Sequence, residues 1–176
     1  MIADGVKKGF NSFLKHQDPN TLMTLHMFDH KFSTVYRDVP VRDVEPLKYR
    51  PRGGTALLDA IMNAIKDADA TLPHLWSDQE DISVTVVILT DGEDNSSHEN
   101  TLEDTHYNVT FKKLMGWRFL FLGASEQTAE IAKKIGIGGC DTLFYDARKI
   151  DVAMEIAGKV TTRESSFTDS ERSLSC

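Results

Sequence analysis

The segment Leu89-Thr90-Asp91-Gly92-Glu93-Asp94-Asn95 carries the clearest chemistry in this chain. It follows an apolar run, so Asp91 emerges where a strand ends, and Gly92 permits a sharp exit turn. Hard oxygen donors grouped in this way suit Mg²⁺ or Mn²⁺, and Mg²⁺ commonly takes only one or two protein carboxylates while keeping several waters. Asp91 with one hydroxyl is therefore a chemically sensible start for a cation site. An acidic turn in which Asp91 caps a backbone amide accounts for the same residues equally well. The second piece is Arg52-Gly53-Gly54-Thr55, directly ahead of a strongly amphipathic segment. Thr55 has the residue type of a helix N-cap, which is the commoner job. It is also placed to offer its hydroxyl to a metal, with glycines that let the backbone approach closely. Thr55 and Asp91 are the candidate ligands. Asp29, Gly54, Gly92 and Glu93 are the candidates for a supporting shell, although Asp29, in the pair Asp29-His30, is first of all a turn former.

Other reactive residues lack partners at a workable spacing. His98-Glu99 begins like a zinc-protease helix motif, but Leu102 stands where the second histidine is required. Gly136-Ile137-Gly138-Gly139 lacks the strand-before-helix setting of a dinucleotide loop and reads as a helix end. His26 and His30 flank a turn and read as hydrogen-bonded or solvated. Glu93, Asp94, Glu99, Glu103 and Asp104 read as a solvated acidic face. Trp117, Phe119 and Phe121 read as core. No nucleophile, base and orienting group recur at recognisable spacing, so the expectation is a protein that is not an enzyme.

The elements that must position Thr55 and Asp91 follow from periodicity. Ile2, Val6, Phe10, Phe13 and Leu14 share a helical face that stops before Asp18-Pro19. Residues 21–28 read as a strand, and residues 32–39 as its antiparallel return. A Pro- and charge-rich connection, 40–52, leads to a helix whose face is Leu57, Ile61, Ala64, Ile65, Ala68 and Leu72, with Pro73 as its stop. Residues 77–81 read as an acidic loop. Residues 82–89 and 117–122 are continuous apolar runs, the mark of strands buried on both faces. Helices are expected over 101–115, 126–135 and 150–160, with a short strand at 141–145. The polar, Ser-rich segment 163–176 is expected to be a disordered tail to a domain spanning 1–162.

Together these elements predict a three-layer α/β domain: a mostly parallel sheet, one antiparallel edge strand, and helices on both faces. Ligands of such open sheets bind at the carboxyl ends of the strands, where Asp29, Thr55 and Asp91 would all lie. The bulk numbers agree with one globular domain: 176 residues, 40% apolar and 27% charged. A net charge of −7 excludes nucleic acid, which needs a basic stripe, and disfavours docking on an anionic membrane. No apolar run is long enough to span a bilayer. Cys140 and Cys176 read as free thiols of a reducing compartment, and the expected location is cytoplasmic.

Gly53-Gly54-Thr55-Ala56-Leu57-Leu58-Asp59-Ala60-Ile61, followed by Val86-Val87-Ile88-Leu89-Thr90-Asp91-Gly92-Glu93-Asp94, closely resembles the von Willebrand factor type A family. Gly9-Phe10-Asn11-Ser12-Phe13-Leu14 and Trp117-Arg118-Phe119-Leu120-Phe121-Leu122-Gly123-Ala124 look like the stand-alone cytoplasmic members of bacteria and phages. The resemblance spans about residues 2–168. It implies a Rossmann-like fold and a metal-ion-dependent adhesion site with three parts. These are an Asp-x-Ser-x-Ser loop after a central first strand, a Thr that matches Thr55, and an Asp that matches Asp91. In the family the Thr binds metal directly, the last Asp commonly acts through water, and a partner's carboxylate completes the shell.

This chain has no Asp-x-Ser-x-Ser, and the family would place it before the first helix, which here begins within two residues of Met1. The expectation is a fold whose central first strand is missing, with a gap flanked by unpaired strand edges. Mg²⁺ or Mn²⁺ would then bind weakly or not at all. The leading functional expectation is a metal-assisted protein-interaction module that meets an acidic residue of an unknown protein partner. The alternatives are a metal-free assembly unit completed by another chain, with oligomers formed through exposed sheet edges, and a Mg²⁺- or Mn²⁺-dependent phosphohydrolase.

Overall fold

A computed structural model describes residues 2–51, 53–75, 82–163 and 165–175. Arg52, the acidic stretch 77–81 and Cys176 lie outside the described residues.

Helix α1 (Ile2–Leu14) is followed by strands β1 (Leu22–Phe28) and β2 (Phe32–Pro40), which pair antiparallel. Helix α2 (Leu57–Leu75) leads into β3 (Thr85–Thr90), α3 (Leu102–Leu114) and β4 (Arg118–Gly123). Then come α4 (Glu126–Lys134), β5 (Thr142–Phe144), α5 (Ile150–Thr161) and α6 (Asp169–Ser175). β3, β4 and β5 form a parallel sheet in that order, and the protein is α/β.

β4 shows why this sheet is covered on both faces. Its side chains alternate, and each set meets a different apolar cluster. Leu120 and Leu122 pack with Val6 and Phe10 of α1 and Ala153 and Ile156 of α5. Phe119 and Phe121 pack with Leu57 and Ile61 of α2 and Val109 of α3. The helices are set by local signals as well as by packing. Thr101 accepts from the Asp104 amide while the Asp104 carboxylate accepts from the Thr101 amide, a capping box that starts α3. Ser125 and Thr128 do the same for α4.

Four expectations need correction. The hairpin is not an edge of the parallel sheet: β1 and β2 form a two-stranded sheet of their own. β3 is only half-buried over most of its length, because β4 covers one edge and the other faces a cavity. Pro73 does not stop α2, whose described residues run on to Leu75 with the proline inside the helix. Finally, the segment after residue 162 is not a frayed tail. Phe167 is buried, Glu171 pairs with Arg163 at 2.6 Å, and the Ser175 hydroxyl donates to the Phe144 carbonyl at 2.6 Å. One buried aromatic and these polar ties anchor a short helix that composition alone hides. Among the described residues no helix is long and apolar enough to cross a membrane.

Candidate functional site at the carboxyl ends of the strands

The start of α2 and the loop after β3 are laced together. The Asp94 carboxylate accepts from the Leu57 amide at 2.8 Å, so the first turn of α2 is capped from a residue far along the chain. Asn95 accepts from the Thr55 amide at 2.9 Å through its side chain, and its own amide returns a bond to the Thr55 carbonyl at 2.9 Å. Asp59 lies beneath the loop, 5% exposed. It accepts from the backbone amides of His98 and Asn100 at 2.9 and 2.8 Å and from the Asn100 side chain at 2.9 Å. Burial alone would raise the Asp59 carboxyl, but these donors hold it well below the usual carboxylate range. Residues 94–100 are thus fixed by many bonds rather than by one.

This lacing sets where Thr55 sits. Because Asp94 takes the first amides of α2, the Thr55 hydroxyl is not the helix cap. It lies against Gly92 instead: a methyl group at residue 92 would come within 2.9 Å of the Thr55 Oγ1. Gly54 has φ of 85°, a left-handed conformation that favours glycine, and a side chain there would press on the Ser96 Oγ at 3.2 Å and lie in ordinary contact with His30 at 3.6 Å. Three loops therefore meet at the glycines. From the β1 end, the Asp29 carbonyl accepts from the Ala56 amide at 2.7 Å. The Asp29 carboxylate is buried, where it accepts from the Lys31 amide at 2.6 Å and lies 3.2 Å from the His30 ring.

Asp91 is exposed, with two phenols close enough to feel its charge. Burial pushes the Tyr145 hydroxyl well above the usual tyrosine range, and the Asp91 carboxylate adds to the rise; the same two causes raise Tyr49. The Tyr145 hydroxyl donates to the Thr90 carbonyl at 3.3 Å, bracing the strand end that presents Asp91.

The structure therefore brings Asp29, Gly54, Thr55, Asp91 and Gly92 to one edge. Glu93 is exposed beside them, and Asp94 leaves the expected solvated face to cap α2. Asp104, also expected there, closes the α3 capping box. Sequence reasoning missed Asp59, Asn95, Tyr49 and Tyr145. A signal existed for Asp59, a carboxylate on a helix whose neighbours are apolar. Nothing in the connection 40–52 marked Tyr49. The His26 ring is hydrogen-bonded to the Thr34 hydroxyl, as read from the sequence, and the His98 ring lies within hydrogen-bond distance of the Asp59 carboxylate. Cys140 is an exposed free thiol. Compared with protein-family models and with curated proteins, the chain matches none.

Proposed function

We propose that this edge is a protein-recognition surface on which Thr55 and Asp91 hold Mg²⁺ or Mn²⁺ and present it to an acidic residue of a partner. The observation that carries the reading is the lacing of residues 94–100 onto α2, which fixes the Thr55 hydroxyl against the Asp91–Gly92 turn. The resemblance of residues 53–61 and 86–94 to the von Willebrand factor type A pattern supports the same assignment.

Thr55 and Asp91 offer hard oxygens, and Asp29 adds a carboxylate at the same edge. Among the described residues no three His, Cys, Asp or Glu side chains gather into a cage. The fit is to a cation that keeps most of its waters, held weakly. When bound, such an ion supplies the positive charge that an incoming carboxylate needs. The chain's own residues do the rest. Gly92 lets the Thr55 hydroxyl approach the turn, Tyr145 braces the strand end, and Asp59, Asp94 and Asn95 keep the loop from collapsing onto the donors.

Thermal unfolding in EDTA and then in excess Mg²⁺ or Mn²⁺ tests this. A ligand that binds only the folded state raises the midpoint by mass action. The expected result is an upward shift with metal that Asp91→Ala loses, and a further rise when a glutamate-bearing peptide is added with the metal. A midpoint indifferent to metal in the wild-type protein would refute the cation, and equal peptide binding in EDTA would refute its bridging role.

A further inference from the structure

One face of α3 carries apolar side chains that the rest of the chain does not cover. The inward residues Thr105, Val109 and Lys112 are buried. On the opposite side Tyr107 is 68% exposed and Leu114 83%, and Phe111 and Met115 are exposed with them. Steps of four, seven and eight residues put all four on a single stripe. Scattered apolar residues are ordinary on a surface, but a continuous stripe marks a contact. The Tyr107 and Phe111 rings are already stacked within it, with centroids 6.4 Å apart and planes 5° from parallel. Little side-chain freedom remains to be lost when something docks there.

Charge along the helix selects the occupant. Glu103 and Asp104 stand in the first turn of α3, and Lys112 and Lys113 in the last. Lys112 is committed to Asp69, and Asp104 to the Thr101 amide and hydroxyl. Glu103 is exposed, and Lys113 donates to a neutral group, the Gly136 carbonyl, at 3.1 Å. On an ideal helix Glu103 and Lys113 lie about 80° apart, on the same flank of the stripe. A two-fold axis that turns one helix end for end sets like flank against like flank and first turn against last. Glu103 of each copy then meets Lys113 of the other, twice in the pair, and the opposed helix dipoles favour the same arrangement. In that register Tyr107 of one copy lies over Phe111 of the other. Parallel helices would instead set Glu103 against Glu103. Because each copy carries a net charge of −7, general repulsion has to be overcome by such locally matched charges.

We infer that the exposed stripe of α3 is a self-association surface, on which two copies of the chain pair antiparallel. A helix of 13 residues offers less than the roughly 800 Å² per partner of a standard interface. The dimer is therefore reversible, with a Kd of about 10–100 µM. It uses none of the residues at the Thr55 edge and stands independently of any cation there.

Sedimentation equilibrium of the full chain in EDTA tests this, and the absence of cation keeps its outcome separate from that of the Thr55 edge. The expected result is a monomer–dimer equilibrium. Leu114→Glu and Tyr107→Ser each leave only monomer, and both keep the wild-type thermal midpoint in dilute solution because the side chains replaced are exposed. Glu103→Lys and Lys113→Glu each weaken the dimer about tenfold, since one substitution acts at two contacts. Combining the two restores the wild-type affinity. A chain that stays monomeric at millimolar concentration overturns the inference and leaves the stripe to a different protein. A dimer that survives Leu114→Glu also overturns it, in favour of the strand edges. A dimer lost in Leu114→Glu but indifferent to both single charge reversals overturns the antiparallel pairing.

Discussion

β4 and β1 are built from similar residues and end in different states. Phe119, Leu120, Phe121 and Leu122 are all at most 1% exposed, with β3 along the whole of one edge, β5 along residues 121–123 of the other, and both faces under helices. β1 has as many large apolar side chains, yet most of its residues are half-buried and Leu22 is 43% exposed. One edge of β1 is paired, and the other faces the cavity. A short apolar run bounded by turn signals reads as extended. How deeply it is buried is decided by neighbours on both edges, which the segment itself does not contain.

Leu120→Ala gives the largest expected effect. Removing a fully buried leucine from the centre of the paired sheet should cost about 3–4 kcal/mol, measured by urea unfolding. Asp59→Ala follows, at about 2–3 kcal/mol, because several inward-facing amides lose a charged acceptor. The pH dependence sharpens that point. The Asp59 carboxyl titrates lower in the folded state than in the unfolded chain. Its stabilisation is therefore fully present above the unfolded value of about 4 and is lost as pH falls below it toward the depressed folded value. Stability curves of wild type and Asp59→Asn should converge on acidification, and a constant difference would place the effect elsewhere. Thr101→Ala removes half of the α3 capping box, for about 1 kcal/mol. Leu25→Ala, on the β1 side of the comparison, should cost less than about 1 kcal/mol, since a half-buried side chain loses little on truncation. If it costs as much as Leu120→Ala, the two regions do not differ in the way described.

Much of the fold was legible because periodicity reports local structure. The apolar face of α1, the hairpin of β1 and β2, and the run that becomes β4 were all visible before any contact was known. What was not legible was set by distant partners. The helix-start signal at Thr55 pointed to the residue at hand, whereas the acceptor for the first amides of α2 is Asp94. The polar composition of the last segment concealed the anchoring by Phe167 and Ser175. The exposure of β3 depends on which strands pair with it, and no pattern within 82–89 carries that information. The gathering of Asp29, Gly54, Thr55, Asp91 and Gly92 at one edge was legible because strand ends and glycines are read from sequence. Asp59, Asn95 and Tyr145 were not, since their roles arise only when the loop folds back onto the helix.

The bond from the Leu57 amide to Asp94 also has a consequence in time. The two residues are 37 apart in sequence. The opening turn of α2 therefore cannot be completed by its own neighbourhood; it waits for the chain to emerge from β3 and return. Closing that loop carries an entropic cost before any bond repays it. The body of α2 can form early on its apolar face, while the turn beside Thr55 locks last, and on unfolding it is the first part of the helix free to let go.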